Sequence, residues 1–397
     1  MANLAVNFAG LELKNPLIVA SSELTDEFEK IKWAEDFGAS AISTKLAFLQ
    51  VPFYARPYHV WEKGGGFYSP SGHRLNVDEA QELIRKTKEQ TDLKVIANMM
   101  GPGENLEGWV TLAQMLEEAG SDMVELNMSC PNVGLMAEQM NVDVTDELGA
   151  HLGKNPALAR EVCKAISQKI SIPVMAKMTP EGQCDIVAAG CFEGGAAAVS
   201  AINCPMSLPG CDIYDSGKPL YPGTTNQSFA GICGPWIRPL AYRHVAQIAM
   251  KCPEGPIAGG GGLSNWQQSV QMFMYGASVV TYCTLLYTDG HKAIRRIEKG
   301  LRRYMEEQGY ETVNDFKGIA LKHIVTPQNV DYYDVWPDVE VDKCNGCKKC
   351  VDLGHCEVLT YKDKKAKVTA TEKCYHCGVC YWICPEKAIT MVQTLRK

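Results

Sequence analysis

A surplus of basic charge is missing from these 397 residues, in which 39 Lys and Arg stand against 46 Asp and Glu for a formal net charge of −7. Binding nucleic acid through its phosphates needs the opposite balance, so no nucleic-acid partner is expected. Long apolar runs are missing too. No stretch reaches the roughly 18–20 residues that cross a bilayer, so no membrane partner is expected. The opening Met1–Gly10 lacks a basic region followed by an apolar run. A secretory leader is therefore not expected, and the reading is of a cytoplasmic protein. Also absent is a Gly-x-Gly-x-x-Gly turn after the first apolar strand, the usual fingerprint of a dinucleotide site. Cysteine, by contrast, is plentiful at 17 residues. In a long chain without a leader, that many thiols point to metal binding and catalysis rather than to a disulfide framework.

Apolar, β-branched runs recur at Pro16–Ser21, Ala39–Lys45, Lys94–Met100, Met123–Ser129, Pro173–Thr179, Ala197–Asn203, Pro256–Gly261 and Ser278–Thr284. Between most of them lie helical patterns, such as Asp26–Phe37, Asp78–Gln90, Leu106–Ala119, Pro156–Ile170, Arg238–Lys251 and Trp266–Tyr275. Asn155-Pro156 places an N-cap before a proline at the first helical position. Eight strands alternating with helices predict an α/β fold, a TIM-type (β/α)8 barrel over residues 1–312, in preference to a doubly wound open sheet. Long inserts follow the second, fourth and sixth strands, at Ala47–Asn76, Pro131–Asn155 and Pro205–Gly231. They leave from strand C-terminal ends, where barrels build active sites. Residues 313–341 read as a linker, and 342–397 as a small separate α+β module.

That module holds eight of the cysteines. The run Cys374-x2-Cys377-x2-Cys380-x3-Cys384-Pro385 has the spacing at which three thiolates grip one iron–sulfur cube and the fourth crosses to a second. One [4Fe–4S] cluster is therefore expected on Cys344, Cys347, Cys350 and Cys384. The other is expected on Cys374, Cys377, Cys380 and Cys356, although five residues rather than three separate Cys350 from Cys356. Zinc also takes C-x2-C pairs, but it does not need three-plus-one runs ending in Cys-Pro. Lys343, Lys348, Lys349 and Lys373 fringe the module and are better read as a solvated face than as a docking patch.

In the barrel, Cys130 lies in Glu125-Leu-Asn127-Met-Ser129-Cys130-Pro-Asn132 at the end of the fourth strand. A thiol of ordinary acidity, with a pKa of about 8.5, is protonated at neutral pH and can give a proton and take it back. Amides on either side offer paired donors and acceptors to a flat polar ring. Lys45 and Lys177 end the second and fifth strands, where cations suit an anionic partner. The Gly259–Gly262 run ends the seventh strand and Thr284 the eighth, the loops where barrels bind phosphate.

These pieces, with Asn15–Ser21, Ala176–Pro180 and Gly231–Pro239, resemble the FMN-binding barrel of the dihydroorotate and dihydropyrimidine dehydrogenase family. With its appended ferredoxin-like module, the whole chain resembles the pyrimidine-reducing branch. The resemblance implies FMN and two [4Fe–4S] clusters as cofactors, with Cys130 as the acid/base. It implies Asn76, Asn127, Ser129, Asn132, Asn203 and Cys204 at the substrate ring. It further implies FMN contacts from Ala20, Ser21, Lys45, Asn98, Asn127, Lys177, Gly234, Gly261, Gly262, Cys283 and Thr284. The activity implied is reduction or oxidation of an activated C=C bond in a small planar cyclic substrate. Hydride would pass through FMN N5, with electrons exchanged with a FAD/NAD(P)H subunit or a ferredoxin. Oligomers, either a homodimer or a hetero-oligomer, are the family's habit. The chain departs from its relatives where Cys204 replaces a hydroxyl residue, where Asp78 replaces a longer acid, and in the Met-rich acidic loop Val133–Leu152. Those departures leave room for dihydroorotate oxidation or for a non-pyrimidine ring. A flavoprotein that only transfers or senses electrons is the non-enzyme alternative.

Overall fold

The eight buried runs form eight short parallel strands: Leu17–Val19, Ala41–Ser43, Lys94–Met99, Met123–Asn127, Val174–Lys177, Ala198–Ala201, Ile257–Gly260 and Val279–Tyr282. They are called here the first to eighth strands. Their nearly continuous apolar character follows from being covered on both faces, as parallel barrel strands are. Each pairs with the next, from Ile18↔Ala41 and Ile42↔Val95 onward, and Tyr282↔Val19 closes the ring. The structure is a computed structural model, and it describes residues 2–52, 56–62, 64–101, 105–130, 152–221, 223–331 and 333–395.

A hairpin, Val6–Phe8 with Leu11–Leu13, plugs the N-terminal end of this ring. Its Phe8, Leu11 and Leu13 pack on one buried side chain from each strand: Ile18, Ala41, Ile96, Met123, Met175, Ala198, Ala258 and Val279. Burying each plug side chain contributes roughly 1.5–3 kcal/mol. The opposite, C-terminal mouth stays available for chemistry. Expected helices appear at Phe28–Asp36, Val77–Gln90, Leu106–Glu118, Pro156–Ser167, Arg238–Lys251 and Trp266–Met274. Asn155 caps the fourth of these, accepting from Leu158 N at 3.2 Å. A helix at Cys184–Glu193 also packs on the barrel; its small, apolar, Gly-containing sequence carries no amphipathic stripe to announce it.

The inserts after the second and sixth strands combine. Tyr58–Glu62, Gly66–Ser71, Ala230–Cys233 and Met206–Ser207 make one antiparallel sheet, with Cys233 opposite Phe67 and Met206 opposite Gly231. The insert after the fourth strand lies almost wholly outside the described residues.

The chain divides into two units, 1–323 and 324–397. The division falls inside the segment 313–341 expected as a linker. Val313 and Phe316 are buried in the barrel core, whereas Tyr333–Val339 pairs along its length with Ile389–Leu395 in the second unit. The second unit adds a hairpin, Leu359–Lys362 with Lys365–Val368, and a short helix, Val379–Ile383. Its core is made by Val358, Leu359, Ala366 and Ile389 packed against Cys350 and Cys380.

Candidate active site

A cavity of about 530 Å³ opens among the C-terminal strand ends. That volume falls in the range of small-molecule and cofactor pockets. Ile18, Ile96, Met175 and Ala258 line it from within the barrel, and Phe67, Trp61 and Cys233 line it from the antiparallel sheet. The residues expected at the site largely converge on it. Ala20, Ser21, Lys45, Asn127, Cys130 and Lys177 line the cavity. So do Asn203, Cys204, Gly234, Gly261, Gly262, Cys283 and Thr284.

A buried polar chain connects several of these groups. Glu125, 3% exposed, accepts hydrogen bonds from Ser43 Oγ at 2.6 Å and Asn98 Nδ2 at 2.5 Å, and lies 3.9 Å from Lys177 Nζ. Asn98 Oδ1 accepts from Asn127 Nδ2 at 3.2 Å, and Asn127 Oδ1 from Ser129 Oγ at 3.0 Å. Ser129 Oγ in turn accepts from Asn203 Nδ2 at 3.0 Å. The chain thus runs through strands two to six and fixes which face each amide presents, since every donor meets an acceptor. Asn98 and Ser129 do not themselves line the cavity; they stand behind Asn127 and orient it.

Asn76 is not among the cavity-lining residues either. It is the N-cap of the Val77–Gln90 helix in a capping box, its N–H donating to Glu79 Oε2 at 2.8 Å, and its Oδ1 accepts from Val51 N at 3.1 Å. The Asn-x-x-Glu spacing already carried that signal. Asn132 lies outside the described residues. Cys204 is not a free thiol: its sulfur is bonded to that of Cys233.

Sequence reasoning missed a second group, centred on Glu23. Its carboxylate accepts from Lys45 Nζ at 2.8 Å, Tyr287 OH at 2.9 Å and His73 N at 3.0 Å. Burial pushes this carboxyl up, but the His59 and Lys45 contacts outweigh it and hold Glu23 well below the usual carboxylate range. His59 Nε2 lies 3.4 Å from Glu23 Oε2 without hydrogen-bond alignment, so both ring nitrogens are buried without a hydrogen-bond partner beside the cavity. No spacing rule links residues 23, 59, 73 and 287.

The fit of a flavin phosphate rests on backbone. Gly262 has φ +74°, and a Cβ there would stand 2.4 Å from the Gly234 carbonyl oxygen. Gly234 has φ +87°, and its Cβ would stand 2.6 Å from the Gly65 carbonyl oxygen. Only glycine satisfies both conditions, which leaves bare backbone beside the cavity at the phosphate-binding end of the barrel. With Lys177 lining the same cavity, these residues fit FMN.

In the second unit the eight cysteines sort into two cavities. Cys344, Cys347, Cys350 and Cys384 line one; Cys356, Cys374, Cys377 and Cys380 line the other. This is the crossed partition expected, Cys356 included. Among the described residues no three such side chains converge as ligands of a single ion do. Four thiols around a small cavity instead suit a cube, whose irons are bound one per sulfur. Burial, with Cys384, Cys344 and Cys347 adding, pushes the Cys350 thiol up to about 11. Backbone N–H groups already point at two sulfurs, from His376 to Cys374 at 3.4 Å and from Ala388 to Cys384 at 3.3 Å. Of the fringing lysines, Lys343 pairs with Glu340 at 2.7 Å, Lys373 with Glu357, and Lys348 sits 4.5 Å over the Tyr361 ring.

Comparison with known proteins matches the dihydroorotate dehydrogenase family to residues 3–305 and a 4Fe-4S binding domain to residues 368–390. The chain is 29% identical to the NAD-dependent dihydropyrimidine dehydrogenase subunit PreA of Escherichia coli K12, over 98% of this chain and 95% of that one. It is 33% identical to the dihydroorotate dehydrogenase B (NAD(+)) catalytic subunit of Pyrococcus abyssi, over 80% of this chain and 99% of that one. A putative dihydroorotate dehydrogenase A (fumarate) of Aeropyrum pernix is 30% identical over 80% and 97%. The FMN barrel and the iron–sulfur module make the protein a flavin- and iron–sulfur-dependent oxidoreductase, and the chain belongs to the dihydroorotate dehydrogenase family.

Proposed function

We propose that this chain interconverts a ring C=C bond and its saturated form in a planar cyclic substrate of the dihydropyrimidine type. Cys130 is the proton donor and acceptor. The observation that carries this reading is the placement of Cys130 in one cavity with Asn127, Asn203 and Lys177, backed by the buried chain from Glu125 to Ser129. Bound FMN would supply hydride exchange, seated against Gly234, Gly261 and Gly262 with Ala20, Ser21, Lys45, Cys283 and Thr284 around it.

The chain's own residues set the rest. Lys177 brings a positive charge, already anchored near Glu125, to where negative charge develops; such preorganised charge is usually the largest catalytic contribution. Asn127 and Asn203 present fixed amide faces to the ring, and Asn132 belongs to the same proposal. Cys130 moves one proton to or from a ring carbon. Cys204 contributes to the ring wall as half of a disulfide rather than as a thiol.

Electrons enter or leave through the iron–sulfur unit, and the counterpart is a second protein carrying FAD and an NAD(P)H site. Two facts support that assignment: this chain lacks a dinucleotide fingerprint, and its Escherichia coli relative is described as an NAD-dependent subunit. Among the described residues no helix is long and apolar enough to cross a membrane. Dihydroorotate is the second reading, favoured by the presence of Arg74 among the cavity-lining residues, a residue type that suits a ring carboxylate. Anaerobic mixing of the oxidised protein with dihydrouracil, dihydrothymine or dihydroorotate separates the two. Flavin bleaching by the dihydropyrimidines supports the first reading, bleaching by dihydroorotate alone selects the second, and bleaching by none rejects both.

A further inference from the structure

Among the described residues the Cys204–Cys233 bond is the one disulfide, and both of its residues line the cavity assigned to the flavin and the ring. Other cysteines are close together without bonding; the fully buried Cys191 contacts Cys163 through its thiol, and both are free. We propose that Cys204 and Cys233 form a two-electron dithiol/disulfide centre that exchanges electrons with the flavin of the same cavity, an activity additional to ring chemistry. The inference rests on the flavin seat assigned above.

The backbone holds the two sulfurs together whether or not they are bonded. Cys204 N donates to Asn203 Oδ1 at 2.8 Å, which fixes the chain just past the sixth strand. Ile232 N donates to Pro205 O at 2.8 Å, and Met206 pairs with Gly231, so the residues flanking each cysteine are zipped to one another. Cys233 is itself in register with Phe67 of the neighbouring strand. The Cα atoms are 5.4 Å apart. After cleavage the thiols therefore remain neighbours, and re-forming the bond is an intramolecular step with a high effective concentration. A disulfide that only stapled the 29-residue separation would serve as well on the outer surface. This one sits instead in the wall of a redox chamber, next to Gly234 of the proposed flavin cradle.

The step balances. With reduced FMN bound, the S–S bond would take up a hydride equivalent, two electrons and one proton. The bond breaks, one sulfur leaves as a thiol and the other as a thiolate, which takes a second proton from solvent. The flavin is left oxidised, and oxidation of the dithiol reverses each transfer.

Anaerobic photoreduction of the holoprotein with EDTA tests this, because the electrons arrive on the bound flavin and no thiol or other disulfide reductant is added. Quenching with iodoacetamide and peptide mass spectrometry then reads Cys204 and Cys233. The expected result is alkylation of both in illuminated protein and a bonded pair in the dark control. A pair that stays bonded after the flavin has bleached overturns the proposal and leaves the functional reading standing. Protein that carries no flavin overturns both.

Discussion

Replacing Glu125 isolates what the buried polar chain is worth. In Glu125→Leu the ammonium of Lys177, 9% exposed, loses a carboxylate 3.9 Å away, an attraction of about 4 kcal/mol at an effective dielectric of 20. Ser43 Oγ and Asn98 Nδ2 also lose their acceptor, and an unsatisfied buried donor costs about 1–3 kcal/mol. Relaxation of the ammonium toward the cavity recovers part of this, so the net cost is about 3–5 kcal/mol, the usual result of breaking a buried pair. Glu125→Gln keeps an acceptor for Asn98 and a polar partner for Ser43, and loses only the charge. It is expected to cost about 1–2 kcal/mol. At about 2–3 °C per kcal/mol for a unit of this size, the leucine variant should melt roughly 6–15 °C lower and the glutamine variant roughly 2–6 °C lower. Calorimetry of the flavin-loaded proteins, scanned at one rate, provides the comparison. Equal losses for the two variants would refute the reasoning, because the hydrogen bonds would then contribute nothing beyond the charge.

Three further outcomes follow from the site. Gly262→Ala forces a Cβ to within 2.4 Å of the Gly234 carbonyl at φ +74°, so flavin affinity should fall at least about tenfold while the clusters stay, read by flavin fluorescence in the ultrafiltrate. Burial raises the Cys283 thiol from 9.0 to about 11. Holding a neutral thiol favours folding up to pH 9, and that contribution is lost as pH rises through about 11. Native Cys283 should accordingly resist iodoacetamide from pH 7 to 9 and react above about 11, whereas rapid alkylation at pH 8 would contradict the burial argument. Cys356→Ser should lower bound iron from about eight toward about four atoms per chain if Cys356 completes the second cube, and unchanged iron with unchanged electron paramagnetic resonance would remove it from the ligand set.

The barrel was legible because parallel strands buried on both faces must be written as apolar runs, and all eight observed strands fall inside the runs read from sequence. The grouping of the cysteines was legible because iron–sulfur cubes demand fixed cysteine spacings, and even the irregular Cys356 lines the same cavity as Cys374, Cys377 and Cys380. Long-range partnerships were not. Glu23 meets Lys45, His59, His73 and Tyr287 only after three loops have folded, and nothing local marks it. The Cys204–Cys233 bond depends on pairing between the two ends of one long insert, Met206–Ser207 with Ala230–Cys233, which periodicity does not describe. Asn76 also carries a local signal, the Asn-x-x-Glu capping box, that the structure uses in full.

The role of Cys130 is tested most directly by reoxidation of the reduced flavin. Protein reduced anaerobically and mixed with uracil or thymine should recover its oxidised flavin spectrum, and Cys130→Ala should do so about 10²–10⁴ times more slowly while binding the same amount of flavin. Reoxidation by the ring at the same rate in both proteins would contradict the account, because the proton would then be coming from somewhere else.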